Sequence, residues 1–478
     1  MKKILYILLS IATMATALSS CINDDFTTSS SDLLSFSTDT VAFDTVITQK
    51  GTATKQFIIY NKAKKQINIS SIKVAGESSD AKFFLNVDGT KGKEFHDIEI
   101  RGEDSIYVFV EAYIDHLSKD EPTEAKDRIE LVTNGVTQHV VLTAWGQDVI
   151  VMRGDTIKQD THLTSDRPYL VYDSLTVMPG VTLTIDPGAS LLFHDNAWLK
   201  SLGTVKAIGT AEKPITLRGD RLDKVVAQIP FDIMSGQWGG VALCGAGNDW
   251  RYVDMRSSSW GLQVYGSDPS VQSLYLLNCV IHNSAGYGFL SANAWVEAEG
   301  TEFSDAADDV FAAIGGKIRL TNCTLANNYL FSPNNSGKIS NICLIERDEA
   351  GTYSTLDCVI ANCVSHGLYY DINDIASDLS NTNVWIHNTL FKSDGKDDSH
   401  FFNNVWKGDP KFYVNREKYI FDYRLRNGSD AIARGDKSMV PERARYDRYG
   451  QDRFAREGVD LGAYVWMPSD DPLELNRK

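Results

Sequence analysis

Basic residues are scarce in this chain. Lys and Arg number 47 against 63 Asp and Glu in 478 residues, a formal charge of −16. A nucleic-acid surface needs Lys and Arg concentrated over phosphates, so that class of partner is excluded. An uncharged or cationic partner is easier to accommodate, although many acidic surfaces serve only solubility. Helix-length patterns are missing from Tyr169 to Gly219, which excludes a helical or α/β reading there. Cysteine is sparse as well, with seven in the chain.

What the stretch from Tyr169 to Gly219 does contain is a series of short β-rich runs. Leu175 to Val177, Val181 to Ile185, Ala189 to Phe193, Val205 to Ile208 and Ile215 to Leu217 are cut by Pro179-Gly180, Pro187-Gly188, Gly203 and Gly209. Runs this short suit a winding chain that lays one strand per side and turns a corner after each. The sequences LTVMPGVTLTIDPGASLLF and LGTVKAIGTAEKPITLRGD resemble the first coils of a right-handed parallel β-helix, the pectate-lyase-like solenoid. The resemblance implies an all-β fold, with the β-helix over 165–407.

A repeat supports that reading. Asn278-Cys279, Gly300-Thr301 and Asn322-Cys323 recur at intervals of 22 residues, one three-sided coil. Asp357-Cys358-Val359-Ile360 is taken as the next copy, which aligns Asn278–Leu290 with Asp357–Tyr369 and sets His366-Gly367 in the slot of Tyr287-Gly288. Equivalent residues should then pile into columns about 4.8 Å apart. Two-coil separations exceed the Cα reach of about 7 Å that a disulfide allows, so the cysteines of the repeat read as free, small core residues.

The remaining segments fall on either side. Residues 1–20 have Lys2-Lys3, an apolar run from Ile4 to Ala17 and Leu18-Ser19-Ser20 before Cys21. This is the pattern of an export signal, and it resembles a bacterial lipobox, which implies a diacylated Cys21 as the first residue of a membrane-anchored lipoprotein. Ile22-Asn23-Asp24-Asp25, in the linker 21–32, resembles the surface-export signal of Bacteroidetes lipoproteins, which places the chain on the outer membrane facing outward. From 33 to 147, nine alternating strands and the turn Asn134-Gly135 predict an immunoglobulin-like β-sandwich serving as spacer and cap. Gln147 to Asp166 is polar and reads as a crossover. Residues 408–467, with Asp409-Pro410, Asp447-Arg448-Tyr449-Gly450, Arg453 and Asp460-Leu461-Gly462-Ala463-Tyr464, resemble the closing segment of bacterial surface β-helix proteins and are expected to cover the last coil. Residues 468–478 form a tail.

Candidate chemistry is diffuse. Ser365-His366-Gly367 and Asp308-Asp309 resemble polygalacturonase elements, but the family's other elements are missing in order. Carboxylates cluster at Asp305/Asp308/Asp309, Asp371/Asp374/Asp378 and Asp394/Asp397/Asp398. They could be a glycosidase pair or a calcium site, which in a pectate-lyase-like enzyme would want Lys317 or Arg319 as base. More often Asp at such corners satisfies turn amides. Trp238, Trp250, Trp260, Trp295, Trp385 and Trp406 could stack sugars or plug the core. The expectation is an anchored β-helix that binds an extracellular glycan or polymer with no catalytic residue and no cofactor assigned, calcium being possible. A polysaccharide lyase or glycosidase, and a structural or adhesive protein, are the alternatives.

Overall fold

The computed structural model describes residues 25–226, 229–333, 338–346, 349–373 and 382–468. Cys21 therefore lies outside the described residues. The chain divides after Asp148 into two compact units.

The first unit is a sandwich of two five-stranded sheets. All nine predicted strands are present, and Thr90–Gly92 adds an edge strand. One sheet runs Leu34–Phe36, Lys55–Asn61, Ser105–Ile114, Ala81–Val87, Thr90–Gly92; the other runs Thr40–Ile47, Val136–Gln147, Thr123–Thr133, Ile67–Val74, Glu94–Ile100. Alternation builds the core directly: along Ser105–Ile114, Val108, Val110, Ala112 and Ile114 are fully buried while Tyr107, Phe109, Glu111 and Tyr113 point outward. Asn134 and Gly135 both take left-handed φ (50° and 76°), as a two-residue hairpin matched to strand twist requires.

The second unit is a three-sided parallel β-helix with sheets of ten, nine and ten strands. Face 1 includes Val253–Arg256, Val280–Ser284, Glu302–Ala306, Thr324–Asn327 and Val364–Gly367; face 2 includes Phe289–Ala292 and Phe311–Ile314; face 3 includes Trp295–Glu299, Lys317–Thr321 and Asp357–Ala361. Inward residues stack coil on coil, so Phe289 lies on Phe311 with ring centroids 4.7 Å apart and planes 6° apart. The first coil starts at Ile150, with Ile150–Arg153, Thr156–Ile157 and Thr161–Leu163 on the three faces. The segment read as a polar crossover is thus itself a coil. Ile157 and Leu163 suffice to fill its interior, and runs of two or three residues are too short for alternation to register.

The column of Cys279, Thr301 and Cys323 exists: the Cys279 amide donates to Thr301 Oγ1 (3.3 Å) and the Thr324 amide to the Thr301 carbonyl (3.1 Å). Its next member, however, is Cys363, whose Sγ accepts the Cys323 amide at 3.3 Å. Asp357-Cys358-Val359-Ile360 belongs to face 3, where Cys358 pairs with Ile318. All six cysteines after Cys21 are free; Cys279, Cys323, Cys358 and Cys363 are buried, Cys343 is half-buried, and Cys244 is exposed.

The corner from face 3 into face 1 needs a left-handed residue, and Asn278, Asn322, Asn362 and Asn388 supply it at φ 54°, 50°, 54° and 46°. Their amides donate to the carbonyls of Tyr446, Asp460, Asp436 and Arg434, so the C-terminal segment is clamped along this corner. The segment thus covers the side of the last coil, as expected, with Leu425, Ala431 and Leu461 packed against Leu390, and it extends over the earlier coils as well. The end of the coil stack is filled by Trp406, which packs on Phe391 at 4.9 Å and Phe401 at 5.4 Å.

Candidate functional site

Outward side chains on face 1 form two columns. Asp254, Val280, Glu302, Thr324 and Val364 make one; Arg256, His282, Ser304, Ala326 and His366 make the other. The C-terminal segment lies over them. Tyr423, Ala463 and Tyr464 pack on Ala326 and close the columns there. Over the preceding coils the two layers part, leaving a cleft of about 320 Å³ lined by Asp254, Arg256, His282 and Glu302 from the β-helix and by Asp422, Arg424, Arg448 and Tyr449 from the segment. A cavity of about 370 Å³ shares Arg256, His282 and Phe421 with it and continues past Asp232, Lys418 and Tyr419.

Fixed ion pairs line this groove. Arg256 forks onto Asp254 (2.6 and 3.2 Å), Arg448 joins the same carboxylate at 3.2 Å, and Arg424 holds Asp422 at 2.6 Å. Burial opposes the Arg256 charge, but Asp254, with Glu302 and Asp232, outweighs it and keeps the guanidinium protonated. Glu302 accepts from Ser304 at 2.5 Å and from the Tyr464 hydroxyl; burial raises its pKa, and these bonds with Arg256 offset that only in part. Asp305 lies beneath, taking both Oδ contacts from the Tyr423 hydroxyl (2.7 and 2.8 Å) and one from the Asn328 amide (2.7 Å), yet burial pushes it up to about 7. His282 Nδ1 is 2.8 Å from Ser304 Oγ and 3.4 Å from Asp305. Burial and then Arg256 lower its pKa to about 3, so the imidazole is neutral and its contact with Asp305 is not an ion pair at neutral pH.

Of the sequence candidates among the described residues, only Asp305 belongs to this cluster. Asp309 accepts the Ser340 amide at 2.7 Å at the next corner. Lys317 is remote from it on face 3, its Nζ 3.8 Å over the Trp295 ring, and Arg319 bonds Asp357 at 2.6 Å. Neither cation is thus placed as a base for Asp308 or Asp309. His366 sits in a strand, in the column of His282, rather than in the turn slot of Tyr287; Phe412 packs on it edge-on at 6.0 Å and burial lowers its pKa. Asp371 accepts the Ser393 amide and hydroxyl (2.7 and 2.6 Å), while Asp374 and Asp378 lie outside the described residues. Asp398 caps the amides of His400 and Phe401, and Asp394 pairs with Lys407. Among the described residues no group of three or more His, Cys, Asp or Glu side chains is placed to hold a metal ion.

The tryptophans divide. Trp238 and Trp250 are core, Trp406 is the end plug, Trp295 and Trp385 are half-buried on face 3, and Trp260 is 49% exposed. The groove's most exposed rings are tyrosines, Tyr449 at 56% and Tyr419 at 42% exposure. Sequence reading missed this groove because its residues come from coils and segment far apart in the chain. The one available signal was the polar outward pair Asp254/Arg256, repeated in kind by Asp422/Arg424.

No protein-family model matches the chain. A stretch of 72 residues, 15% of the chain, is 40% identical to "Protein bark beetle" of Drosophila melanogaster and spans 2% of that protein's length. Among solved structures, a family 123 glycoside hydrolase from Clostridium perfringens, studied for glycolipid glycan hydrolysis, aligns with TM-score 0.18 and 7% identity over 25% of this chain and 30% of that one. A protein of unknown function from Porphyromonas gingivalis W83 aligns with TM-score 0.18 and 9% identity over 27% and 60%. Likeness at this level carries no argument about function.

Proposed function

We propose that this chain is a surface lipoprotein, anchored through Cys21 on the outer membrane, whose β-helix binds an extracellular glycan or polymer in the groove between face 1 and the C-terminal segment. The observation that carries the reading is the pairing of rigid Asp–Arg couples with exposed tyrosine rings in one groove. Each couple offers a donor and an acceptor side by side, as a sugar hydroxyl uses them, and the rings offer flat surfaces for pyranose C–H faces. Because each guanidinium already has its carboxylate, the groove favours a polyhydroxylated ligand over a strongly charged one.

The test is isothermal titration of the intact chain with a panel of soluble polysaccharides. Tyr449→Ala and Arg424→Ala are each expected to weaken binding about tenfold, a loss of about 1.4 kcal/mol. Unchanged affinity in both would remove the groove from the reading. A glycosidase or lyase reading of the same groove draws on Glu302, a carboxyl held toward its protonated form as a general acid requires. New reducing or unsaturated ends that disappear in Glu302→Gln would decide for it. For the anchor, Cys21→Ser is expected to abolish labelling by palmitate and release the chain from the membrane fraction; retained labelling would refute the anchor.

A further inference from the structure

In the sandwich, the sheet containing Ser105–Ile114 turns its outer face toward a cavity of about 650 Å³, within the roughly 300–1,000 Å³ typical of ligand sites. Phe84 and Phe109 line it, and Tyr107, its ring 6.2 Å from Phe109 and inclined by 20°, extends the aromatic surface past the edge. Phe84 is 41% and Tyr107 47% exposed. Rings this open on neighbouring strands form a patch, unlike the single apolar residues scattered over any surface. Asn86 sits between them, opposite Phe109 on one side and Lys91 on the other.

Two polar features make this a built site. Asn86 Oδ1 is buried without a hydrogen-bond partner, an acceptor that asks for a donor from outside. Lys91, on the edge strand, reaches across Ala81–Val87 until its Nζ is 3.9 Å from Glu111 Oε1, so a cation and a carboxylate frame the same cavity. Rings for C–H faces, an unmet acceptor for a hydroxyl and a framing donor–acceptor pair match a pyranose glycan. A peptide would pair along a sheet edge through its main chain, whereas this cavity lies on the face. A lipid tail would leave Asn86 unmet.

We infer that the sandwich is itself a glycan-binding module, with Phe84, Tyr107 and Phe109 as its stacking platform and Asn86 as its orienting acceptor. This role is additional to the spacer role expected from the sequence, and the site is independent of the groove on the β-helix.

The experiment is affinity electrophoresis of the full chain through gels containing xylan, galactomannan, amylopectin or chondroitin sulfate, with a glycan-free gel as reference. At least one polysaccharide should retard the groove variant Tyr449→Ala/Arg424→Ala, and adding Phe84→Ala/Tyr107→Ala to that background should lose at least tenfold of the remaining affinity. The groove substitutions, altering only the β-helix, should leave the sandwich contribution in place, so the two sites fail separately. Because both sandwich rings are open to solvent, adding Phe84→Ala/Tyr107→Ala should keep the thermal midpoint of the groove variant; a variant that unfolds is replaced by Asn86→Leu in the same background, for which the same loss is expected. Equal retardation of the groove variant with and without the sandwich substitutions, no retardation of the groove variant by any polysaccharide, or binding of denatured casein in place of glycan would each overturn the inference.

Discussion

Arg453→Met is expected to destabilise the β-helix unit by about 3–5 kcal/mol, the range for removing one partner from a buried charged network. Arg453 is 3% exposed and its guanidinium donates to the carbonyls of Ala444 (3.2 Å), Gly462 (3.1 Å) and Ala463 (2.6 Å). Burial lowers its pKa, and the nearby Asp447 is the largest influence holding the charge. Asp447 in turn accepts the amides of Tyr449, Gln451 and Val465, which set the loop bearing the groove's exposed tyrosine. Methionine would leave three carbonyls without their common donor and the buried Asp447 carboxylate without a nearby compensating charge. Arg453→Lys, keeping the charge but not the fork, should recover only part of the loss. Chemical denaturation of the intact chain, followed through the transition of the second unit, gives the number; a Met variant within 1 kcal/mol of the parent would show that Arg453 is dispensable.

The same arginine illustrates what could be read in advance. Its motif, Arg453 with Asp447 and Asp460, resembled a closing segment, and those residues do hold the segment together: Asp460 accepts the amides of Ala433 and Trp466. That the segment extends over the earlier coils was not legible, because nothing in its sequence names the corner asparagines that clamp it. The coil itself was legible wherever its length stays at 22 residues, since Asn278, Gly300 and Asn322 mark one corner. After Asn322 the chain makes an excursion before the next coil, and the period is lost. Asp357-Cys358-Val359-Ile360 then imitates Asn278-Cys279-Val280-Ile281, because strands on faces 1 and 3 share the same inward–outward alternation. Only the left-handed asparagine distinguishes them, and it stands at Asn362. That slip carried His366 into a turn it does not occupy. The sandwich was read strand by strand, but the exposure of Phe84 and Tyr107 follows from which sheet face is covered, which alternation alone does not decide.

Asp305 carries the second large effect, a dependence of stability on pH. An unfolded aspartate titrates near 3.9, whereas burial holds Asp305 at about 7 in the folded protein. Between those values the folded state keeps a proton that the unfolded state releases, so stability from this group is complete below about 3.9 and falls as pH rises towards 7. His282 has the opposite sign. Its folded value of about 3 lies below the ordinary 6.5, so it adds stability as pH rises between them. From about pH 4 to 6.5 the slopes of these two groups nearly cancel, so the contribution of Asp305 is read from a variant and not from the parent alone. Asp305→Asn keeps an acceptor for Tyr423 and Asn328 but removes the titration. The stability of this variant relative to the parent should therefore rise by about 3 kcal/mol between pH 5 and 8, measured by denaturation at each pH. His282 is common to both proteins and drops out of the difference to first order. A difference that does not change with pH would mean that the carboxyl under the Tyr423 hydroxyl is solvated and ordinary. In that event the floor of the groove would be wet and flexible, and the rigid couples above it would lose the dry base on which their orientation depends.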